Sequence, residues 1–195
     1  MSPITHFLVG WTVATSVRLE KRDRAVVAIA GIAPDIDGLG IVVDLATAHS
    51  AHATDWWGHY HHVLAHNLAG ALVALCVALT LSRRKWLAGC LACASYHLHL
   101  LCDILGSRGP DGYQWPIPYL MPFSESLQLA WSGQWALNAW PNFALTLVLL
   151  AWMFATAWQR GISPLEIISP RGNAAMVSAL RQRFGWPADP LPESA

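Results

Sequence analysis

The sequence predicts an all-α protein, a polytopic membrane helix bundle of about four to five helices with a metal site at one end. Three observations carry that reading. Lys and Arg together number 12, as do Asp and Glu, so charged residues make up 12% of the 195, about half the share usual in a soluble domain. Apolar residues make up 54% and gather into long runs of the length that crosses a bilayer. Nine His and eleven Trp stand in this charge-poor background, a mixture that points to membrane interfaces and a metal-type site. The balanced charge leaves no field to draw nucleic acid, and none is predicted as a partner. The low polarity excludes a disordered chain.

Ile4 to Val17 is apolar with small polar residues; as a helix it reaches about 21 Å, short of a full span. No basic stretch precedes it, so no cleavable signal peptide is expected. The first basic cluster, Arg18 to Arg24, follows it instead. Ala25 to Ala33 is apolar again and stops at Pro34-Asp35-Ile36-Asp37-Gly38, a helix-ending combination; Leu39 to Val43 resumes the apolar character. Asp44 to His62 reads as a polar loop, in which His49, His52 and Asp55 are expected to be solvated. Val63 to Ser82 is a spanning candidate closed by Arg83-Arg84-Lys85, and Trp86 to Leu105 is a second, carrying His97, His99 and Asp103 near its end. Ser107 to Trp135 has no helical period. Ala136 to Trp158 is an uncharged third candidate with Pro141 tolerable in its first turn. The membrane-embedded domain is thus assigned to 1–160. Residues 161–195 form a cytoplasmic tail in which Met176, Leu180 and Phe184 predict a short amphipathic helix on the membrane surface. Cys76, Cys90, Cys93 and Cys102 all fall in apolar runs and are expected to pack as small buried hydrophobes.

Topology then gathers the chemistry. If the chain turns back at each break, the clusters at Arg18–Arg24, Arg83–Lys85 and Arg160 share one end, which the positive-inside rule makes cytoplasmic. His6, Asp35, Asp37, His61, His62, His66, His99 and Asp103 then share the other. Ionisable groups in apolar spans are costly and mark function, and a divalent cation offsets that cost. His99 and Asp103 are four apart and share a helix face, whereas His97 points away and reads as structural. His62 and His66 are also four apart, so local spacing alone prefers His62 to His61. A mixed His and Asp set suits zinc, manganese or iron. Zinc is the leading choice, and the ligand number allows one to three ions. A cation there lowers the pKa of water towards about 7, and Asp35 or Asp37 is placed to orient or deprotonate that water.

Four pieces resemble the YdjM-like family, described as membrane-bound metal-dependent hydrolases. They are Thr5-His6-Phe7-Leu8, Pro34-Asp35-Ile36-Asp37, His61-His62-Val63-Leu64-Ala65-His66 and His99-Leu100-Leu101-Cys102-Asp103. The resemblance implies metal-site roles for His6, Asp35, His61, His66, His99 and Asp103, and makes His61 rather than His62 the partner of His66. The family usually has His-Arg-Gly-x-Thr-His-Ser at the third piece; here His62, Ala65 and Asn67 replace the Arg, Thr and Ser. A more distant similarity is to zinc-dependent phospholipase C and the related single-strand nucleases, which implies only a reaction class.

Together these predict an inner-membrane, multi-pass, metal-dependent hydrolase whose site faces the extracytoplasmic side. Its substrate is expected to be a small-molecule or lipid phosphoester, with membrane lipid as a partner. Asp37 is expected as a catalytic carboxylate. Arg108, the sole basic residue on that side of the bundle, is expected to clamp phosphate, with the Pro-aromatic stretch after it as a lid. The competing expectations are a non-catalytic metal-binding or transport protein and a haem protein ligated by His66 and His99.

Overall fold

Each helix boundary follows from a local chemical cue. In the computed structural model, which describes residues 1–187, helix α1 (Pro3–Thr15) opens on Ser2, whose hydroxyl accepts from the Thr5 amide. Helix α2 (Lys21–Ala30) ends at Gly31, and a 3₁₀ segment (Ala33–Leu39) carries the chain into α3 (Gly40–Thr47). Helix α4 (Trp56–Tyr60) is one turn capped by Asp55. Helix α5 (Leu68–Leu81) starts at the Asn67 cap, and α6 (Lys85–Gly106) returns antiparallel beside it. A loop follows, with one small antiparallel pair, β1 (Ile117–Pro118) and β2 (Gln128–Leu129). Helix α7 (Trp140–Arg160) has Pro141 in its first turn and stops at Gly161, whose φ of 71° few other residues tolerate. Helices α8 (Leu165–Ile168) and α9 (Pro170–Phe184) complete the described chain.

Helices α1, α2, α5, α6 and α7 form the bundle, with α1 packed on α2, α6 and α7. Leu8, Trp11, Ala14, Val27, Ala28, Ala88 and Ala92 fill its middle. Gly10 and Gly31 let α1 and the end of α2 meet: a Cβ on Gly31 would lie 2.8 Å from the Gly10 Cα and 3.0 Å from the Ser95 hydroxyl of α6. The outward faces of α5 and α7 are apolar, with Leu72, Val73, Phe143, Leu147 and Val148 all exposed, the inverse of a water-soluble surface. Helices α6 and α7 are long and apolar enough to cross a membrane, and α2 with the bent segment to Thr47 is a third, broken candidate.

The basic clusters meet at one end, as their positions in the sequence predict. Asp23 accepts from the amides of Arg83 and Arg84, Arg83 pairs with Glu20 at 3.0 Å, and Arg160 donates to the Thr15 carbonyl. At the same end Arg24 forms a buried two-bond pair with Glu166 (2.6 and 3.0 Å) that fastens α8 to α2. The tail helix expected around Met176, Leu180 and Phe184 is α9. It leans on α7, with Arg181 donating to the Trp158 carbonyl and Trp158 to that of Gly185; the last residues of the assigned tail lie outside the described residues.

Three expectations need correction. The run from Val63 does not enter a helix until Leu68, so α5 is shorter than a span. The supposed loop from Asp44 is partly helical: α3 continues to Thr47, and the Asp44 carboxylate then pins the amides of Trp56 and Trp57 at 2.7 Å each. Cys76 and Cys90 point outward rather than inward, because an apolar residue facing hydrocarbon need not be buried in protein.

Candidate metal centre

The end opposite the basic clusters collects side chains from four places. Helix α1 brings His6, the break after α2 brings Asp35 and Asp37, the turn before α5 brings His61, His62 and His66, and the last turns of α6 bring His99 and Asp103. His6, His66, His99 and Asp103 are almost wholly buried. Every residue predicted as a metal ligand, and Asp37 with them, falls into this one cluster.

The protein holds the imidazoles from behind. His99 Nδ1 donates to the Gly31 carbonyl at 2.8 Å, while His66 Nδ1 and His61 Nδ1 donate to the two oxygens of Asp37 at 2.9 Å each. The Ala65 amide adds a third bond to Asp37 at 3.0 Å. A neutral imidazole that donates through Nδ1 presents a lone pair at Nε2, and such outer bonds are how proteins orient metal-binding histidines. The consequence is unusual: the Nε2 atoms of His66 and His99 face each other at 3.1 Å. Asp103 Oδ2 completes a triangle, 3.0 Å from His99 Nε2 and 3.5 Å from His66 Nε2, and this buried oxygen has no hydrogen-bond partner.

Two lone pairs and a carboxylate oxygen at these distances repel one another unless a positive charge lies among them. Ligand atoms about 2.0–2.1 Å from a tetrahedral zinc are roughly 3.3–3.4 Å apart, close to the sides of this triangle. The donor set of two nitrogens and one carboxylate oxygen suits zinc and its neighbours, so the residues fit a divalent cation. The electrostatics carry the same demand. Burial pushes the His66 pKa down, but the Asp103 and Asp37 carboxylates outweigh it and hold it up at about 9. Around this triangle, His6 Nε2 lies 3.1 Å from Asp103 Oδ1 and its ring stacks on His99 at 3.6 Å. The Met1 amino group also contacts Asp103 Oδ1. Asp35 Oδ1 is 3.7 Å from His99 Nε2, and its other oxygen has no hydrogen-bond partner. Among the described residues three groups satisfy the geometry of a metal-holding cluster: His66 with His99 and Asp103, His6 with Asp35 and His99, and His61 with His62 and His66.

A sequence model of the YdjM inner membrane protein family matches residues 1–179. The chain belongs to the YdjM family. No curated protein and no solved structure matches it. In this YdjM protein the two acids of the break divide their work. Asp37 has both oxygens engaged by imidazoles and an amide. Asp35 instead lines a cleft of about 340 Å³ with His61, His62, Asp103, Trp57 and Trp115. Arg108 stands apart: its amide donates to Trp135 and its carbonyl accepts from Leu137, and the cleft is lined by Ser107 and Gly109 but not by Arg108 itself. Among the described residues no ion pair joins it to Asp111. His97 is structural as expected, held by the Cys93 carbonyl and the Tyr119 hydroxyl at 2.8 Å each.

Sequence reasoning did not find Gly31 or Trp57, and it named Trp115 only as part of the Pro-aromatic stretch expected to form a lid. Gly31 acts through its carbonyl, which no residue pattern reveals. Trp57 stacks on His61 at 5.2 Å, and Trp115 meets Trp57 edge-on at 5.0 Å and His62 at 5.4 Å, roofing the imidazoles. A spacing of four from His61 is a weak cue to Trp57; the Pro-aromatic composition after Arg108 is the cue to Trp115.

Proposed function

We propose that this protein is a membrane-bound metal-dependent hydrolase acting on a phosphoester, with zinc the leading metal and the site on the extracytoplasmic side. The observation that carries the reading is the triangle of His66 Nε2, His99 Nε2 and Asp103 Oδ2, with sides of 3.1, 3.0 and 3.5 Å and each imidazole tied from behind. A cation held there supplies Lewis acidity and a lowered pKa for water.

The protein's own residues supply the rest. Asp37 fixes the His61 and His66 rings without facing the cleft, and so acts as a positioning residue. Asp35 does face the cleft and is the carboxylate suited to orient water or take its proton. Trp57 and Trp115 exclude bulk solvent from the imidazoles. An apolar groove of about 460 Å³ runs along α5 from Leu64 and Ala65 to Leu81. The Ala65 peptide belongs to both groove and cluster, because its amide bonds Asp37. Such a groove suits the hydrocarbon chain of a lipid-linked substrate whose head group reaches the cleft.

Two competing readings find less support. A haem needs a flat macrocycle between its axial imidazoles, and Nε2 atoms 3.1 Å apart leave no room for one. Ion transport needs a polar path, whereas the bundle between the two ends is packed with Leu8, Trp11, Ala14, Val27 and Ala92.

The test is hydrolysis of phospholipid, phosphodiester and ester panels by detergent-purified, zinc-loaded protein. Activity that Asp103→Ala abolishes supports the proposal; absence of hydrolysis across all panels overturns it. The phosphate-clamping role of Arg108 is tested separately by Arg108→Ala, where an unchanged Michaelis constant removes it.

A further inference from the structure

His62 differs from the His61, His66 and His99 rings, and shares an unpartnered buried Nδ1 with His6. His61, His66 and His99 each have Nδ1 bonded to a fixed acceptor. His62 is deeply enclosed, 3% exposed, yet its Nδ1 finds no hydrogen-bond partner. Its Nε2 lies 3.9 Å from Asp103 Oδ2, beyond hydrogen-bonding reach. Buried polar atoms are satisfied almost without exception, so one that is not calls for a ligand or a function.

The backbone is also held against its preference at this residue. His62 has a φ of 68°, the one positive value among the described non-glycine residues, in the left-handed region that side chains disfavour. The conformation has a definite result. It places two consecutive imidazoles, which extended chain would send to opposite sides, together on the cleft: the His61 and His62 ring centres are 4.3 Å apart, and that of His66 is 4.4 Å from His62. One nitrogen from each of the three falls within 4.8 Å of the others.

These rings do not merely enlarge the triangle already described. His66 has only Nε2 to offer, and that atom faces His99 and Asp103. His61 Nε2 and either nitrogen of His62 are left over. Asp103 Oδ2 lies between the two sets, 3.5 Å from His66 Nε2 and 3.9 Å from His62 Nε2. His61 and His62 also line both clefts of this face, of about 430 and 340 Å³, so positions opposite them are open to small ligands.

We infer that His61 and His62 hold a second divalent cation of the zinc class, beside the one at His66, His99 and Asp103 and with the Asp103 carboxylate between the two. The inference rests on reading the triangle as a metal centre and adds the number of ions. It also adds a recognition element: a second cation bordering both clefts is a binding point for an anionic oxygen of the substrate.

The test is zinc stoichiometry by elemental mass spectrometry on the full chain in detergent, stripped with chelator, reloaded with zinc and freed of excess. Wild type is expected to hold two ions per chain, His62→Gly one, and His99→Ala to lose the ion of the triangle. Glycine accepts the positive φ, and His62→Asn, which also tolerates it, is the second variant should the first fail to fold. One ion in wild type, or two in both His62 variants, overturns the second site while leaving the triangle intact. No zinc in wild type, or no loss in His99→Ala, overturns the metal centre itself.

Discussion

Replacing Asp37 by Asn is the sharpest test of how this centre is built. The carboxylate accepts three bonds: His61 Nδ1 on Oδ1, and His66 Nδ1 with the Ala65 amide on Oδ2. An asparagine of the same shape has one acceptor oxygen. Turned to keep His66 and Ala65, it sets its amide N–H₂ against the His61 N–H, so that ring must flip its tautomer or swing away. Turned the other way, it loses His66 and the amide together. Either orientation removes the fixed presentation of one Nε2, and the lost negative charge weakens the remaining ring as a ligand. Changes of this outer kind cost about 10–100-fold in metal affinity, or about 1.4–2.8 kcal/mol. The assay is zinc competition against a chromophoric chelator on detergent-purified wild type and variant, with circular dichroism to confirm the fold. Affinity within twofold of wild type, combined with lost turnover, would refute the positioning role. It would return Asp37 to the water-activating role that its place in the acidic motif predicts.

Other outcomes follow from the same geometry. The Asp103 and Asp37 carboxylates raise the His66 pKa, so without metal a proton on His66 favours the folded state. That contribution is complete below the unfolded value of about 6.5 and is lost as pH rises through about 9. The metal-free protein should therefore lose melting temperature between those values while the zinc-loaded protein does not. Over the same window zinc affinity should climb by up to about tenfold per pH unit, since the proton must leave; a flat affinity profile would remove His66 from the ligand set. Gly31→Ala drives a Cβ to 2.8 Å from Gly10 Cα and 3.0 Å from the His6 carbonyl. Overpacking of this kind costs about 1–3 kcal/mol, and it displaces the carbonyl that holds His99, so thermal melting and zinc competition should both register the change. Arg24→Ala strands Glu166 without its buried partner, a loss of about 3–5 kcal/mol. Limited proteolysis should then cut after Arg160, while zinc content stays at the wild-type level because the pair lies at the far end of the bundle.

Much of this was legible in the sequence because the bilayer simplifies the problem. Long apolar runs gave α6 and α7 nearly to their ends, and the basic clusters gave the direction of each helix, which sufficed to bring His6, Asp35, His66 and Asp103 together. Apolar character misled where it met chemistry. Val63 to Ala65 are as apolar as the helix they precede, yet Asp37 captures the Ala65 amide and the His66 ring, and Asn67 caps from Gly70 onward. Those bonds hold the segment as a turn. The same blindness applies to Cys76 and Cys90, since hydrophobicity cannot distinguish a residue facing protein from one facing lipid. Helix spacing favoured His62 over His61, but neither is in a helix, so the periodicity did not apply. Both rings reach the cleft, by the positive φ of His62.

The helix breaks and the candidate metal centre are one feature rather than two. A break within a bundle leaves backbone donors and acceptors without helical partners, and such backbone is tolerated at membrane depth only where protein or a polar cavity satisfies it. Here the centre does so. The Gly31 carbonyl, beyond the end of α2, accepts from His99, and the Ala65 amide, ahead of α5, donates to Asp37. Each unsatisfied group thus becomes an anchor for a side chain of the candidate metal centre. Continuous helices in these two places would satisfy the backbone internally and leave His99 and Asp37 without those partners. It follows that variants which lengthen either helix, such as Asn67→Ala at the α5 cap, should weaken zinc binding without touching a ligand. Undiminished zinc affinity in a folded Asn67→Ala variant would separate the two features again.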